Sequence, residues 1–357
     1  MKESTILSEY NSYIRKKSVY VWIMIMAILL FSVAGILIGP SRISFSALAD
    51  LVLGRGEEVH RQVVLNLRFP RILAAITGGI ALSVSGAVMQ TILRNPLASP
   101  FTLGISNAAS FGAAFAVIVF GAGKTYSSVA DSVVVNNPYL VTVSAFIWSL
   151  AASFLILLVA KKRGATPENM VLTGIIASSL FTALTTGLQF IADDVQLAAI
   201  VFWTFGDLSK GDWEILLIQT IIIIPSVIYF MFNRWNYNAL DSGDETAISL
   251  GANIKVLRIN GMIVASAATA VVVSFYGIIA FVGLVVPHIV RRLIGSNERF
   301  LLPACALTGA AFLLGCDIVA RTIISPIVLP VGILTSIIGA PLFIFLLLGG
   351  VGSSQWK

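Results

Sequence analysis

The sequence predicts an all-α polytopic membrane protein with about ten transmembrane helices and both termini in the cytoplasm. Of its 357 residues, 57% are hydrophobic and only 11% are charged, whereas soluble domains carry about 25% charged residues. The apolar residues are gathered into runs of roughly twenty, the length that crosses the hydrocarbon core as a helix. The basic clusters RKK, KKR and RR all fall on one side of these runs, as the positive-inside rule requires.

The first transmembrane helix is predicted at residues 19–38. Residues 1–18 are polar, end in a basic flank and are expected to form a cytoplasmic tail. A cleaved signal peptide would have a shorter apolar core and a small-residue cleavage site, so this run is interpreted as an uncleaved span. Residues 19–348 then form a single transmembrane domain, and residues 349–357 a second cytoplasmic tail.

The other spans are predicted wherever an apolar run lies between polar, proline or glycine residues. The third and the eighth are short or interrupted by glycine, so their ends are poorly defined. Two further segments, 43–66 and 195–210, are expected to lie on the membrane as amphipathic pieces. The predicted spans cover residues 19–38, 70–93, 101–120, 138–160, 170–191, 213–232, 257–275, 277–293, 301–320 and 330–348.

Three arginines oppose the charge bias of this topology. Arg68, Arg71 and Arg321 fall on the outer side, where the positive-inside rule does not favour them. Two interpretations are open. The guanidinium groups extend to the lipid headgroups, or they form charge-assisted hydrogen bonds to carboxylates of an outer partner.

Nucleotide, metal and nucleic-acid sites are not indicated by the sequence. Gly123-Lys124-Thr125 resembles the end of a phosphate-binding loop, but that motif needs a glycine at position 118, which is isoleucine. His60 and His288 are far apart and have no metal-ligand spacing around them. The net charge of +6 is attributed to loop asymmetry across the membrane.

The longest inner loop is predicted to contain a short amphipathic helix. Ala247, Leu250 and Ile254 have the spacing of one helical face. Gly251 is expected to end the helix just after Leu250, and acidic residues, Glu245 among them, crowd its start, where negative charge is favourable. An ordinary solvated connector is the alternative interpretation of this loop.

The fifth span carries a polar stripe. Ser178, Thr182, Thr185 and Gln189 recur at i, i+4, i+7 and i+11, so they share one helical face. Such a stripe either lines a watery path or holds helices together by interhelical hydrogen bonds. The residues alone leave both interpretations open.

Several ordered motifs resemble the membrane permease subunits of type II ABC importers, the family that serves iron–siderophores, haem and cobalamin. The resemblance extends from about residue 60 to the end of the chain. It implies a ten-helix permease that pairs with a second permease chain, identical or related, around a central path. The motifs are RFPRILAAITGGIALSVSGAVMQTILRNPLASPFTLGIS, ALDSGDETAISLG, GIIAFVGLVVPHIVRR, LLPACALTGAAFLLGCDIVAR and LPVGILTSIIGAPLFIFLLL.

The resemblance also implies the partners and the sites. Two cytoplasmic ATPase subunits would hold ATP and Mg, so no cofactor is expected in this chain, and an extracytoplasmic substrate-binding protein would complete the complex. The 165–169 turn falls where relatives place a cytoplasmic gate, although its Pro-Glu pair departs from the small polar residues expected there. The implied sites are docking of the binding protein at Arg68, Arg71 and Arg321; coupling to the ATPase at Glu245, Ala247, Leu250, Gly251 and Ile254; and the path at Ser178, Thr182, Thr185 and Gln189.

The expected function is that of a plasma-membrane permease subunit, not itself an enzyme, which moves an iron chelate such as siderophore-bound iron. Cobalamin, haem and oxyanions such as molybdate are alternative substrates. An ion-coupled secondary transporter would need intramembrane carboxylates, and the predicted spans are almost free of them, Asp317 being the nearest exception. An intramembrane enzyme would need a nucleophile and base or a metal cluster, and the sequence shows neither.

Overall fold

The computed structural model of the protein describes residues 2–39, 43–122 and 137–348. Within these ranges the chain forms helices joined by turns and irregular connections, and none of the described residues is in a β-strand. The all-α prediction is therefore confirmed for the described part of the chain. The Gly123-Lys124-Thr125 segment and the predicted tail at 349–357 lie outside the described residues.

The described residues form α-helices that are joined mostly by short connections. A π-helical turn (Val63–Arg68) leads directly into α4, and a 3₁₀ turn (Leu208–Lys210) comes just before α9. The α-helices are α1 (Lys2–Leu37), α2 (Phe45–Val52), α3 (Glu58–Gln62), α4 (Phe69–Ile92), α5 (Ile105–Val119), α6 (Pro138–Arg163), α7 (Pro167–Ile191), α8 (Asp194–Thr204), α9 (Trp213–Phe232), α10 (Arg234–Asp241), α11 (Asp244–Ser249), α12 (Ile254–Tyr276), α13 (Val282–Ile294), α14 (Glu298–Thr322) and α15 (Val331–Leu348).

Seven described segments are long and apolar enough to cross a membrane. They lie in α1, in α3 to α4 taken together, and in α6, α7, α9, α12 and α14. The predicted third and eighth spans correspond to α5 and α13, which have only 15 and 13 residues. Both follow a residue in the left-handed region, Gly104 (φ +80°) and Phe281 (φ +66°). Because that conformation does not continue a right-handed helix, the chain is non-helical just before each of them.

The N-terminal tail is not a separate unit from the first span. α1 begins at Lys2 and continues without interruption to Leu37, because residues 2–18 contain neither glycine nor proline. The tail packs against the start of α14. The Lys17 ammonium lies 4.0 Å from the centroid of the Phe300 ring, a favourable cation–π distance.

Of the two segments expected to lie on the membrane, the second differs from the prediction. α2 is a short capped helix, whose Ser44 Oγ accepts a hydrogen bond from the Ala47 amide at 3.1 Å. In α8, by contrast, Ile200 and Trp203 are buried while Phe202 on the other side is exposed. Apolar side chains on both sides mean that α8 is not amphipathic, and it packs against α5 as part of the bundle.

α4 lies at the centre of the bundle and contacts α14, α12 and α13. Two of these contacts bring backbones together. A Cβ atom added to Gly79 would lie 2.3 Å from the Gly309 carbonyl oxygen, and one added to Gly86 would lie 1.8 Å from that of Gly283. Close backbone approach at small residues is typical of membrane helices, whose association depends on van der Waals contact. These contacts hold α13 and α14 against α4.

Candidate functional site

The structure brings Arg68, Arg71 and Arg321 together, where α4 begins and α14 ends. The three side chains are buried, with only 5%, 8% and 3% of their surface exposed. The carboxylate of Asp317, which is fully buried, lies between two of them. Arg71 Nε donates to Asp317 Oδ1 at 2.8 Å, and Arg321 Nε lies 3.0 Å from Oδ2. We call these four residues, with Asp207, the outer arginine cluster.

Other contacts of the cluster reach the end of α1 and the segment before α9. Arg321 Nη1 donates to the Gly35 carbonyl at 3.2 Å, and Arg68 donates to the Ile36 carbonyl. Arg71 Nη2 lies 3.7 Å from Asp207 Oδ1. Because the last carbonyls of a helix lack intrahelical partners and carry partial negative charge, two of the arginines satisfy the C-terminus of α1.

This geometry bears on the two interpretations of the arginines. The guanidinium groups are buried among protein atoms, which is not the extended arrangement in which an arginine reaches the lipid headgroups. The cluster contains three guanidinium groups and the two carboxylates of Asp207 and Asp317, so it keeps a net positive charge. Docking of a partner at this cluster stays a prediction. Sequence reasoning missed Asp317 as the shared counter-ion, although its i,i+4 spacing to Arg321 was a signal.

The polar stripe of α7 lies at the edge of its packed side. Thr185 is buried, Thr182 is exposed, and Ser178 and Gln189 are half-buried. Ser178 Oγ accepts a hydrogen bond from Asn107 Nδ2 of α5 at 2.6 Å. The stripe therefore includes both a helix-to-helix hydrogen bond and an exposed hydroxyl, and the path role stays a prediction.

The inner loop forms the short helix that was expected, but not its single apolar face. α11 ends at Ser249, and Gly251 follows with φ +83°, so the predicted break is confirmed. Ala247 is fully buried and Leu250 is 70% exposed, while Ile254 is half-buried and begins the next helix. The prediction that the three share one face is wrong, because Gly251 separates Ile254 from α11 and because Ala247 is buried where Leu250 is exposed.

The exposed apolar residues of this loop are Ile248 and Leu250, at 64% and 70% exposure. Glu245 is exposed beside them in the first turn of α11. Two neighbouring exposed apolar side chains at the end of a six-residue helix are a small surface that a partner's groove would cover. Ile248 was missed from the sequence, since the packing of α11 against α10 and α12 decides which of its residues face outward.

The turn between α6 and α7 has a local reason for its proline and glutamate. Thr166 is the N-cap of α7, and its Oγ1 accepts from the Asn169 amide at 3.4 Å. Pro167 then occupies the first helical position and Glu168 the first turn, where each is favourable. The turn lines a cavity of about 680 Å³ together with Arg94 and Asn95. A gate at this turn stays a prediction.

A second buried network lies where α4 and α13 end and α14 begins. Arg291 donates to Thr91 Oγ1 at 3.1 Å, and Thr91 Oγ1 donates to Glu298 Oε1 at 2.6 Å. The Glu298 amide donates to Asn238 Oδ1 of α10 at 2.7 Å. These bonds fix α10, and with it the inner loop, against the core. Among the described residues, no group of three or more His, Cys, Asp or Glu could hold a metal ion.

Comparison with known proteins places these features in one family. Residues 25–349 match the FecCD transport family. The chain is 52% identical over 343 residues to a protein named as an ABC transporter permease in Methanocaldococcus jannaschii, covering 96% of this chain and 98% of that one. It is 37% identical over 284 residues to the hemin transport system permease of Yersinia pestis, covering 80% and 82% of the two chains.

A solved structure gives the same result for the fold. A chain described as an inward-facing metal-chelate type ABC transporter superposes with a TM-score of 0.80 at 31% identity. The match covers 92% of this chain and 98% of that one. With most of its length aligned in both sequence and fold, this chain belongs to the FecCD transport family and is an ABC importer permease.

Proposed function

We propose that the chain is the membrane-spanning subunit of an importer for an iron chelate, with siderophore-bound iron as the preferred candidate. The observation that carries this proposal is the family match over residues 25–349, together with a hemin permease as one relative and a metal-chelate type transporter as a structural neighbour. Cobalamin is the second candidate, because a relative from Halobacterium salinarum is named for cobalamin import. Haem and oxyanions complete the range to be tested.

The proposed topology has ten spans and both termini in the cytoplasm. The seven long apolar segments and the shorter helices α5, α13 and α15 together make that number. The short helices are supported by burial, since most of α5 and α13 lies inside the bundle. Backbone breaks at membrane depth are tolerated where protein covers them, which is the situation before both helices.

The role proposed for each site follows from its position in the protein. ATP is hydrolysed on two partner ATPases, which seat Ile248 and Leu250 in an apolar groove. A binding protein docks by its carboxylates at the outer arginine cluster, where the net positive charge favours an acidic surface. The substrate passes along α7, beside a second permease chain that supplies the other half of the path.

Reconstitution tests the proposal. The permease, its ATPase and its binding protein are placed in proteoliposomes, and uptake of a ferric siderophore, haem and cobalamin is compared with and without ATP. We expect uptake that requires ATP and the binding protein and that is fastest for the iron chelate. Uptake driven by an ion gradient without ATP would contradict the proposal, and preferential uptake of cobalamin would replace the substrate.

A further inference from the structure

Arg258 is a buried side chain that joins three separate elements. It lies in the second turn of α12 and only 4% of its surface is exposed. Its Nε donates to the Ile92 carbonyl at the end of α4 at 3.0 Å. Its Nη1 donates to the Ala165 carbonyl between α6 and α7 at 3.0 Å, and its Nη2 donates to Asp244 Oδ1 at the start of α11 at 2.8 Å.

The chemistry of arginine makes this arrangement rigid. A guanidinium group is planar, and its N–H bonds point in fixed directions. The three acceptors are bound by three different nitrogens of that group, so a displacement of one of them turns or shifts the group relative to the other two. A lysine ammonium has the charge but not the fixed directions, so it could not hold all three acceptors in the same way.

Two of the acceptors belong to the core side of the group. The Ile92 carbonyl is in the last turn of α4, where carbonyls lack intrahelical partners. Ala165 immediately precedes Thr166, the N-cap of α7. The position of the Ala165 carbonyl is therefore tied to the position at which α7 begins, and α7 is the helix that carries the polar stripe.

The third acceptor lies at the surface of the inner loop. The Asp244 side chain is 40% exposed and stands in the first turn of α11, on the same six-residue helix as Ile248. Arg94, itself 46% exposed, is 3.9 Å from the same carboxylate. A partner that seats on Ile248 and Leu250 would therefore move Asp244 directly, and through it the guanidinium group.

We propose that Arg258 is a positioning residue that transmits movement of α11 to the start of α7 and the end of α4. The inference rests on the proposed function, in which an ATPase seats on α11, and adds the residue that carries the motion inward. When the ATPase displaces α11, Asp244 displaces the guanidinium group, and the Ala165 carbonyl and the first turn of α7 move with it. The bond to Asp244 lies at the surface, and the bonds to the Ile92 and Ala165 carbonyls lie further inside the protein.

The test separates transmission from a structural role. A residue that merely holds the fold would, when changed, lower the yield or stability of the complex and reduce hydrolysis and transport together. Changing a transmitting residue would leave the rate of ATP hydrolysis unchanged and lower the number of substrate molecules transported per ATP. The ratio of transport to hydrolysis is therefore the measurement, made on the complete complex in proteoliposomes.

Three variants and a control are compared. Asp244→Asn keeps the shape of a half-exposed side chain, so it is expected to fold. It removes the charge and replaces one of the two oxygens that accept from Arg258 Nη2, at 2.8 and 3.1 Å, by an amide donor that faces the guanidinium group. Arg258→Gln removes the guanidinium group, and Arg258→Lys keeps the charge without the fixed directions of the N–H bonds. The control is Arg292→Gln, which changes an exposed arginine in the last turn of α13. We expect at least a tenfold fall in transport per ATP for Asp244→Asn and Arg258→Gln, a smaller fall for Arg258→Lys and no change for the control. A ratio within twofold of the parent for Asp244→Asn would overturn the inference, whatever Arg258→Gln does.

A fluorophore on Glu168→Cys reports the motion itself. Glu168 is exposed in the first turn of α7, and the native Cys305 and Cys316 are buried, so the label goes to one position. ATP should change the emission in the parent and not in Asp244→Asn, and an equal change in both would overturn the inference. A parent chain that binds no ATPase would overturn the proposed function as well, whereas normal coupling in Asp244→Asn overturns this inference alone.

Discussion

Asp317 is the residue whose removal tests the outer arginine cluster most directly. It is fully buried and is shared by Arg71 at 2.8 Å and Arg321 at 3.0 Å. Asp317→Asn keeps the size of the side chain and removes its charge, leaving two buried guanidinium groups without their common counter-ion. Breaking a buried ion pair by removing one partner costs about 3–5 kcal/mol.

The contacts that remain around Arg71 and Arg321 decide how much of this cost Asp317→Asn incurs. Arg71 and Arg321 both lose the Asp317 carboxylate, which favours the upper end of the roughly 3–5 kcal/mol range. Against this, Arg321 keeps its bond to the Gly35 carbonyl and Arg71 keeps its contact with Asp207, so part of the compensation remains. We therefore expect about 4 kcal/mol of destabilisation, a substantial part of the roughly 5–15 kcal/mol by which domains are stable.

The buried thiols supply the assay. Cys305 and Cys316 are 0% and 4% exposed, so a maleimide dye reacts with them only as the protein unfolds. Purified parent and variant are heated with the dye in detergent, and the unfolding midpoints are compared. Asp207→Asn is the control, because its side chain is 32% exposed and its oxygen lies 3.7 Å from Arg71, a pair worth at most about 1 kcal/mol. Equal midpoints for Asp317→Asn and the control would refute the assignment of Asp317 as the counter-ion.

A triple variant separates the stability of the cluster from docking. Arg71→Met, Arg321→Met and Asp317→Leu together replace three of the four buried charges of the cluster by apolar side chains of similar size, and Arg68 keeps its charge. Such replacements are often neutral or stabilising by about 1–4 kcal/mol, so the midpoint should return to that of the parent or exceed it. If the cluster docks the binding protein, affinity should fall at least about tenfold, equivalent to 1.4 kcal/mol. Unchanged affinity would remove the docking role while leaving the structural one.

The other predictions concern the inner loop and the path. Leu250→Asp should abolish co-purification with the ATPase and leave the permease folded, because a charge would enter an apolar groove at a cost of several kcal/mol; normal co-purification would make the loop an ordinary connector. Thr182→Cys should react with a small polar thiol reagent in the assembled complex and Thr185→Cys should not, since only the former is exposed; equal labelling would remove α7 from the path. Burial raises the pKa of Asp241, an effect that the charge of Arg291 opposes, so the folded state binds this proton more tightly and its stability falls as pH rises through the raised pKa. Asp241→Asn should therefore be more stable than the parent above that pH and should unfold with a weaker pH dependence, and identical pH profiles would contradict this.

The long apolar runs predicted most of the helices because hydrophobicity and length decide a membrane span almost alone. The ends of the short helices followed other causes. Gly104 could be anticipated as a break, since glycine accepts a positive φ. Phe281 could not, because a phenylalanine in the left-handed region is held there by its surroundings. Those surroundings include Gly339, at which an added Cβ would lie 2.4 Å from the Phe281 Cβ.

The sequence gives each charged residue an expected side of the membrane, but it does not give the residue's partner. The topology placed Arg71 on the outer side, but its partner Asp317 is 246 residues away in the chain, and no local pattern records such a pair. The inner loop shows the same limit at short range. Whether Ala247 or Leu250 faces outward depended on how α11 packs against α10 and α12, and the spacing of apolar residues does not record that packing.

The pairing of Arg71 with Asp317 has a consequence for how the protein is made. Ribosomes add about 5–20 residues per second, and 246 residues separate the two partners, so the carboxylate is synthesised roughly 12 to 50 s after the guanidinium group. During that interval α4 is in or near the membrane while α14 does not yet exist. The start of α4 must therefore wait in water, among headgroups or within the insertion machinery, and the outer end of the bundle closes only once α14 has been delivered.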